Sequence, residues 1–342
     1  MNTRKEPAMA TTPESFVDAL NSAFGKQTTQ RAAHAKGVVL LGKFVPSAEA
    51  AGVSKALHFK HEVPVTVRFS ANTGIPKIAD ADPRASPRGL AIKFRLPDGS
   101  ATDLVTHSYN GFPAKNTEEF QQFFLAVAGS KPGVPSPTPI EAFQETHPAA
   151  KTFLTTRDPP PVSYATTTYF GVNSFKFANE TGAVTIGRYQ LLPDAGRHFL
   201  SKDESAKAAT NYLEDEIRQR VARGAVLFNV VLQLAAPGDK IDDPSVAWAS
   251  TNKITTLGTL TVASVVPDSE ATERALMFLP ALLPAGIESA DPMIQFRNKT
   301  YPVSYERRHP SQPVRVFRWS NELPIDHVRD RVSGRLRTYF CP

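Results

Sequence analysis

The feature that most limits how this chain can fold is a procession of strand-like segments of similar length. Residues 63–70 alternate, with Val63, Val65, Val67 and Phe69 on one face and Thr66, Arg68 and Ser70 on the other, the period-two pattern of a strand. Residues 37–44 are an apolar run bounded by glycines, and residues 89–96 form a strand stopped by the turn Pro97-Asp98-Gly99, a sequence rich in turn formers. Further β-type segments fall at 102–107, 166–169, 174–177, 184–190, 225–234 and 254–265. Helical signals are fewer. Pro13 opens a helix over 13–24 with Thr12 as its cap, a position proline favours. Residues 117–127 read as a helix capped by Thr117, with Glu118 and Glu119 in its first turn, where acidic groups suit the dipole. Residues 203–223 carry Leu213, Ile217 and Val221 four apart and stop at Gly224, again a helical pattern. No glycine-rich phosphate loop follows a strand, which argues against a dinucleotide fold. The pattern predicts an α+β chain: an antiparallel β-barrel with flanking helices.

Composition narrows the function classes. The 342 residues carry a net charge of +6 without a basic run, so no nucleic-acid partner is expected. No apolar stretch is long enough for a membrane span. The start, residues 1–15, is polar and lacks an apolar core. It therefore predicts a cytoplasmic protein, or a periplasmic one where a signal peptide has been removed. Cys341 is the sole cysteine, which excludes an internal disulfide framework and a cysteine-rich zinc site. Prolines cluster at 132–139 and 159–161, and read as extended connections over a scaffold. Residues 1–12 are expected to be a flexible arm and 13–342 one domain.

Two segments could carry chemistry. In residues 286–308, Asp291-Pro292 is a helix start, the carboxylate capping and proline at the first position. On that helix Arg297 and Tyr301 are four apart and share a face, with Pro302 expected to bend the helix just after. A guanidinium beside a phenol favours the phenolate, a hard anionic ligand suited to ferric iron. From spacing alone, an exposed Arg–Tyr stacking pair is the plainer interpretation. The second segment, residues 31–37, holds His34 before a strand. Histidine is the natural proton shuttle near neutral pH, although a lone histidine there is more often structural. His58, His61, His147, His198, His309 and His327 show no metal-ligand spacing.

Taken together, these segments resemble the haem catalase superfamily, and above all its short members, the catalase-related peroxidases. His34-Ala-Lys-Gly37 looks like the distal-histidine motif. Val67-Arg-Phe-Ser70, residues 81–94, Asp103-Leu-Val105 and residues 171–177 follow in family order, and Asp291 to Arg297 with Tyr301-Pro302 is similar to the proximal motif. The resemblance implies a catalase-like barrel holding haem b. It makes Tyr301 the iron ligand kept ionised by Arg297, His34 the acid–base residue and Ser70 its hydrogen-bond partner. Arg31, Arg68 and Arg308 would pair with haem propionates, and Phe120 would lie against the haem face. In large members an asparagine stands five residues after the Asp of Asp-Leu-Val. Here that position is Ser108, and Asn110 fills the role only if two residues bulge out of the strand. The implied function is a haem peroxidase that reduces hydrogen peroxide or organic hydroperoxides with an organic electron donor and has weak catalase activity. A fatty-acid hydroperoxide isomerase and a non-catalytic haem-binding protein are the alternatives. A homodimer is the simplest assembly.

Overall fold

The computed structural model describes residues 10–309. Most of the expected arm, together with His327 and Cys341, lies outside the described residues. Ten strands form one antiparallel sheet: β1 (Gly37–Pro46), β2 (Val63–Ala71), β3 (Arg88–Arg95), β4 (Ala101–His107), β5 (Tyr169–Phe170), β6 (Phe175–Ala178), β7 (Val184–Pro193), β8 (Val226–Leu234), β9 (Ile254–Val265) and β10 (Ile287–Ser289). β1 to β5 pair in chain order, β5 pairs with β7, and β7–β8, β8–β9 and β9–β1 pairings close an eight-strand ring. β6 and β10 extend it beyond β7. Closure leaves those eight strands without a bare edge.

The alternation in β2 decides which side is which. Val65, Val67 and Phe69 join Val38, Leu40, Leu90, Ile92, Tyr169, Phe228 and Leu260 in the barrel core. The other face of the same strands is buried too, because later segments cover it. Val39 packs there with Val266, Leu276 and Phe278, against Ala91 and Val105. The Lys93–Asp103 ion pair at 2.7 Å lies on this outer face, where Asp103 also accepts the Leu279 N–H at 2.6 Å and ties the covering segment to β4. A second apolar cluster joins three helices, Pro13–Phe24, Thr117–Gly129 and Met293–Arg307. Phe16 is its hub, 5.2 Å from the Phe120 ring and 5.6 Å from Phe296.

Several expectations are corrected. The helix over 203–223 is two helices, Lys202–Lys207 and Tyr212–Arg223. Between them the Thr210 carbonyl accepts from the Asp80 N–H and from Lys36 Nζ, both at 2.9 Å, so it is taken from a continuous helix. The cap of the 117–129 helix is Asn116, not Thr117: Asn116 is extended and its side chain accepts the Glu119 N–H at 2.9 Å. The segment 166–169 is a 3-10 turn, Tyr164–Thr166, followed by the two-residue β5. The proline cluster at 132–139 ends in a helix, and a further helix follows before 159–161. Pro139 and Pro148 open the helices Pro139–Thr146 and Pro148–Thr155, using the first-position tolerance of proline. The helix carrying Tyr301 continues through Pro302 to Arg307.

Candidate functional site

Arg68 and Ser70 lie on the outer face of β2 and His34 beside them, while Arg297 and Tyr301 lie on the helix Met293–Arg307. His34 leads into β1 with a left-handed backbone, φ 54°, a conformation few side chains adopt and one that clusters at functional positions. Two contacts hold it. Its carbonyl accepts from Arg68 Nη2 at 2.6 Å, and its Nδ1 is 2.9 Å from Ser70 Oγ. The ring lies over Gly89, which stands opposite Ser70 in the β2–β3 register. A Cβ at Gly89 would come within 2.5 Å of Ser70 Oγ and 2.8 Å of His34 Nδ1, so the glycine makes the seat of the imidazole. Burial, then the positive charge of Arg68, lowers the His34 pKa to about 3. The ring is therefore neutral at physiological pH and free to accept a proton.

On the other side, Arg297 Nε and Nη2 donate to the Tyr301 hydroxyl oxygen at 3.0 and 2.6 Å. Both donors belong to one guanidinium, so the phenolic oxygen faces a cation through two hydrogen bonds. The guanidinium is held in turn: Nη1 donates to Asn173 Oδ1 at 2.7 Å, and Asn173 Nδ2 donates to Asp291 Oδ2 at 2.6 Å. Asp291 Oδ1 accepts the Met293 N–H at 2.9 Å, so the same carboxylate starts the helix and ends the relay. Burial, opposed mainly by the Asn173 hydrogen bond, raises its pKa. The sequence showed Arg297, Tyr301 and Asp291. Asn173 gave no motif of its own, and only its place in the 171–177 block pointed to it.

Arg31, Arg68 and Arg308 meet around a carboxylate that sequence reasoning missed, Glu273. Arg68 Nε donates to both carboxylate oxygens at 2.7 Å, and Arg31 Nη1 bonds the same group. Arg308 Nη2 donates to the Leu276 carbonyl at 3.1 Å, while its Nε is buried without a partner. Burial opposes ionisation of Glu273, but Arg68 and Arg31 outweigh it and hold the carboxyl below its usual range. Burial and mutual repulsion lower Arg31, and burial takes Arg308 down to about 10 despite Glu273. Three guanidiniums against one carboxylate leave two positive charges uncompensated in a buried place.

The remaining expected residues fall elsewhere. Phe120 lies 4.5 Å from Phe112 and 4.7 Å from Phe124 in the helical aromatic cluster. Ser108 is turned away from His34. Its hydroxyl accepts the Arg88 N–H at 2.9 Å, and with Arg88 it lines a small cavity walled by Tyr109, Phe153 and Arg157. β3 and β4 pair without a register shift, so no bulge brings Asn110 into the strand. His107 occupies the outer face instead, directly opposite Gly89.

A haem fits these residues. Two propionates would match the two uncompensated positive charges, and Tyr301 would offer a phenolic oxygen to the iron. Fold and site thus define a closed antiparallel barrel with a cluster of buried arginines, a histidine and a tyrosine outside its core, a set that a haem would suit. A family model described as Catalase matches residues 6–327, and the chain belongs to the catalase family, a family of haem proteins. A catalase-related peroxidase of Synechococcus elongatus is 34% identical over 307 residues, 88% of this chain and 90% of that protein. A catalase-related peroxidase of Mycolicibacterium paratuberculosis is 35% identical over 302 residues, 87% and 95% of the two chains. The fold is shared with a fungal catalase crystal structure at a TM-score of 0.74 and 20% identity, over 83% of this chain and 60% of that one. This chain therefore spans about three-fifths of that catalase's length.

Proposed function

We propose that this chain is a haem b peroxidase that reduces hydrogen peroxide or organic hydroperoxides with an organic electron donor and has weak catalase activity. The observation that carries this reading is the Asp291–Asn173–Arg297–Tyr301 relay, which aims two cationic donors at a single phenolic oxygen. The one cysteine of the chain cannot form the paired thioether links of a c-type haem, which supports haem b.

Each residue then has a task. Tyr301 presents its oxygen to the iron, with Arg297 keeping it anionic. Arg31, Arg68 and Arg308 hold the propionates, and Glu273 fixes the two arginines nearest it. Phe120 belongs to the aromatic cluster that keeps water from the haem face. When bound, the haem supplies an iron that peroxide oxidises by two electrons and that a donor restores. His34, with Nδ1–H given to Ser70, keeps a lone pair on Nε2. That nitrogen takes the proton from the near peroxide oxygen and returns it to the far one, which leaves as water or alcohol. Beside His34 the β4 face presents the His107 ring and not an asparagine amide, a difference that favours donor oxidation over dismutation.

Stopped-flow mixing of the haem-loaded protein with peroxide, followed by a phenolic donor, tests the proposal. Donor oxidation with little oxygen evolution is the expected result. Rapid oxygen evolution without donor oxidation, or rearrangement of a lipid hydroperoxide with no donor consumed, would overturn it.

A further inference from the structure

β2, β3 and β4 place Ser70, Gly89 and His107 in one cross-strand row, and residues directly opposite one another in antiparallel pairs share a face. Gly89 is the empty middle of that row, and the His34 ring fills the space above it. His34 thus has Ser70 on one side and His107 on the other, one strand spacing away in each direction. Ser70 is already bonded to His34 Nδ1. His107 is bonded to nothing on its free edge. Its Nδ1 accepts the Tyr109 N–H at 3.4 Å, and its Nε2 is buried with no partner.

That arrangement fixes the chemistry of the free nitrogen. A neutral imidazole whose Nδ1 accepts a backbone N–H carries its proton on Nε2. Burial, then the positive charge of Arg297, lowers the His107 pKa to about 3, so the ring is neutral. Nε2 is therefore an N–H donor without an acceptor, in a place where an unmet donor is costly. The ring plane is braced by Phe112, 6.1 Å away and nearly parallel. Arg297 lowers the pKa of His34 as well as that of His107, so its guanidinium lies near both rings.

We infer that His107 is a second distal residue, whose Nε2–H donates a hydrogen bond to the peroxide that His34 deprotonates. His34 supplies the lone pair and His107 the donor, from neighbouring points of the same sheet face. The donor makes no covalent change. It holds the substrate oxygen while the proton passes through His34 Nε2.

The inference rests on the haem reading above, and fluoride binding to the haem-loaded ferric protein separates the two. Fluoride bound at the distal side accepts a hydrogen bond but takes part in no turnover. His107→Phe, which keeps the packing against Phe112, should weaken fluoride binding about tenfold, the worth of one hydrogen bond. His107→Gln, which restores an N–H donor, should recover most of that loss. A crystal structure of the wild-type fluoride complex should place Nε2 within hydrogen-bond reach of the ion, and this reading needs no variant to fold. Unchanged fluoride affinity in His107→Phe with normal haem content, or Nε2 turned away from the ion, overturns the role of His107 alone. A protein that takes up no haem overturns both.

Discussion

Replacing Gly89 with alanine adds one methyl group where the His34 ring now rests. The new Cβ would meet Ser70 Oγ at 2.5 Å, His34 Nδ1 at 2.8 Å and His34 Cε1 at 2.9 Å. Ordinary contact needs about 3.5–4.0 Å, so the imidazole must retreat by about 1 Å. It cannot do so freely, because its carbonyl is held by Arg68 at 2.6 Å and its Nδ1 by Ser70 at 2.9 Å. Overpacking of this kind costs roughly 1–3 kcal/mol of stability. Displacing a reacting group by about 1 Å costs on the order of 10²-fold in rate. The assay is the bimolecular rate at which peroxide oxidises the ferric protein, measured by stopped flow at equal haem content. Gly89→Ala should slow it about 10²-fold. In a His34→Ala background, which is itself slow, the same change should add almost nothing. A Gly89→Ala protein that reacts at the wild-type rate would refute the placement of His34 over this glycine.

Three further outcomes follow from other contacts. Tyr301→Phe removes the acceptor of both Arg297 donors; the protein should fold, by circular dichroism, but lose haem or change its ferric spectrum. Arg68→Met removes the donor to both Glu273 oxygens and to the His34 carbonyl but leaves Arg31 on the carboxylate, and should cost about 1.5–3 kcal/mol in urea denaturation, the worth of a hydrogen bond to a charged group. His58 is buried among Phe44, Phe59 and Phe94, and burial lowers its pKa to about 3. The unfolded chain therefore binds a proton below pH ~6.5 that the folded chain refuses, and stability falls as pH drops. Between pH 7 and 5 wild type should lose up to about 2 kcal/mol more than His58→Leu, and equal losses would count against the burial argument.

The barrel was legible because its strands obey period two on the inner face. In β2 the phase read from Val65, Val67 and Phe69 is the phase observed, and it sent Arg68 and Ser70 to the outer wall. The i,i+4 spacing likewise announced the contact of Arg297 with Tyr301. What was not legible depends on partners distant in the chain. Glu273 lies 205 residues from Arg68, and nothing local marks it as the counter-ion of two arginines. Asn173 acts 124 residues from Arg297. The break at Ala208 arises because Asp80 and Lys36 claim the Thr210 carbonyl, a tertiary demand that a helical pattern cannot reveal. A motif count pointed to Ser108 because it does not say which face a residue takes; the register puts His107 opposite Gly89.

If Tyr301, supported by Arg297, is the iron ligand of a bound haem, the haem spectrum must depend on its phenolic oxygen. The absorption spectrum of protein expressed with ample haem, compared with that of Tyr301→Phe, tests it most directly. The wild type should show the Soret band of ferric haem with a tyrosinate ligand, and the variant should lose or alter it. A wild type purified without haem, or a Tyr301→Phe protein with wild-type haem content and spectrum, would contradict it.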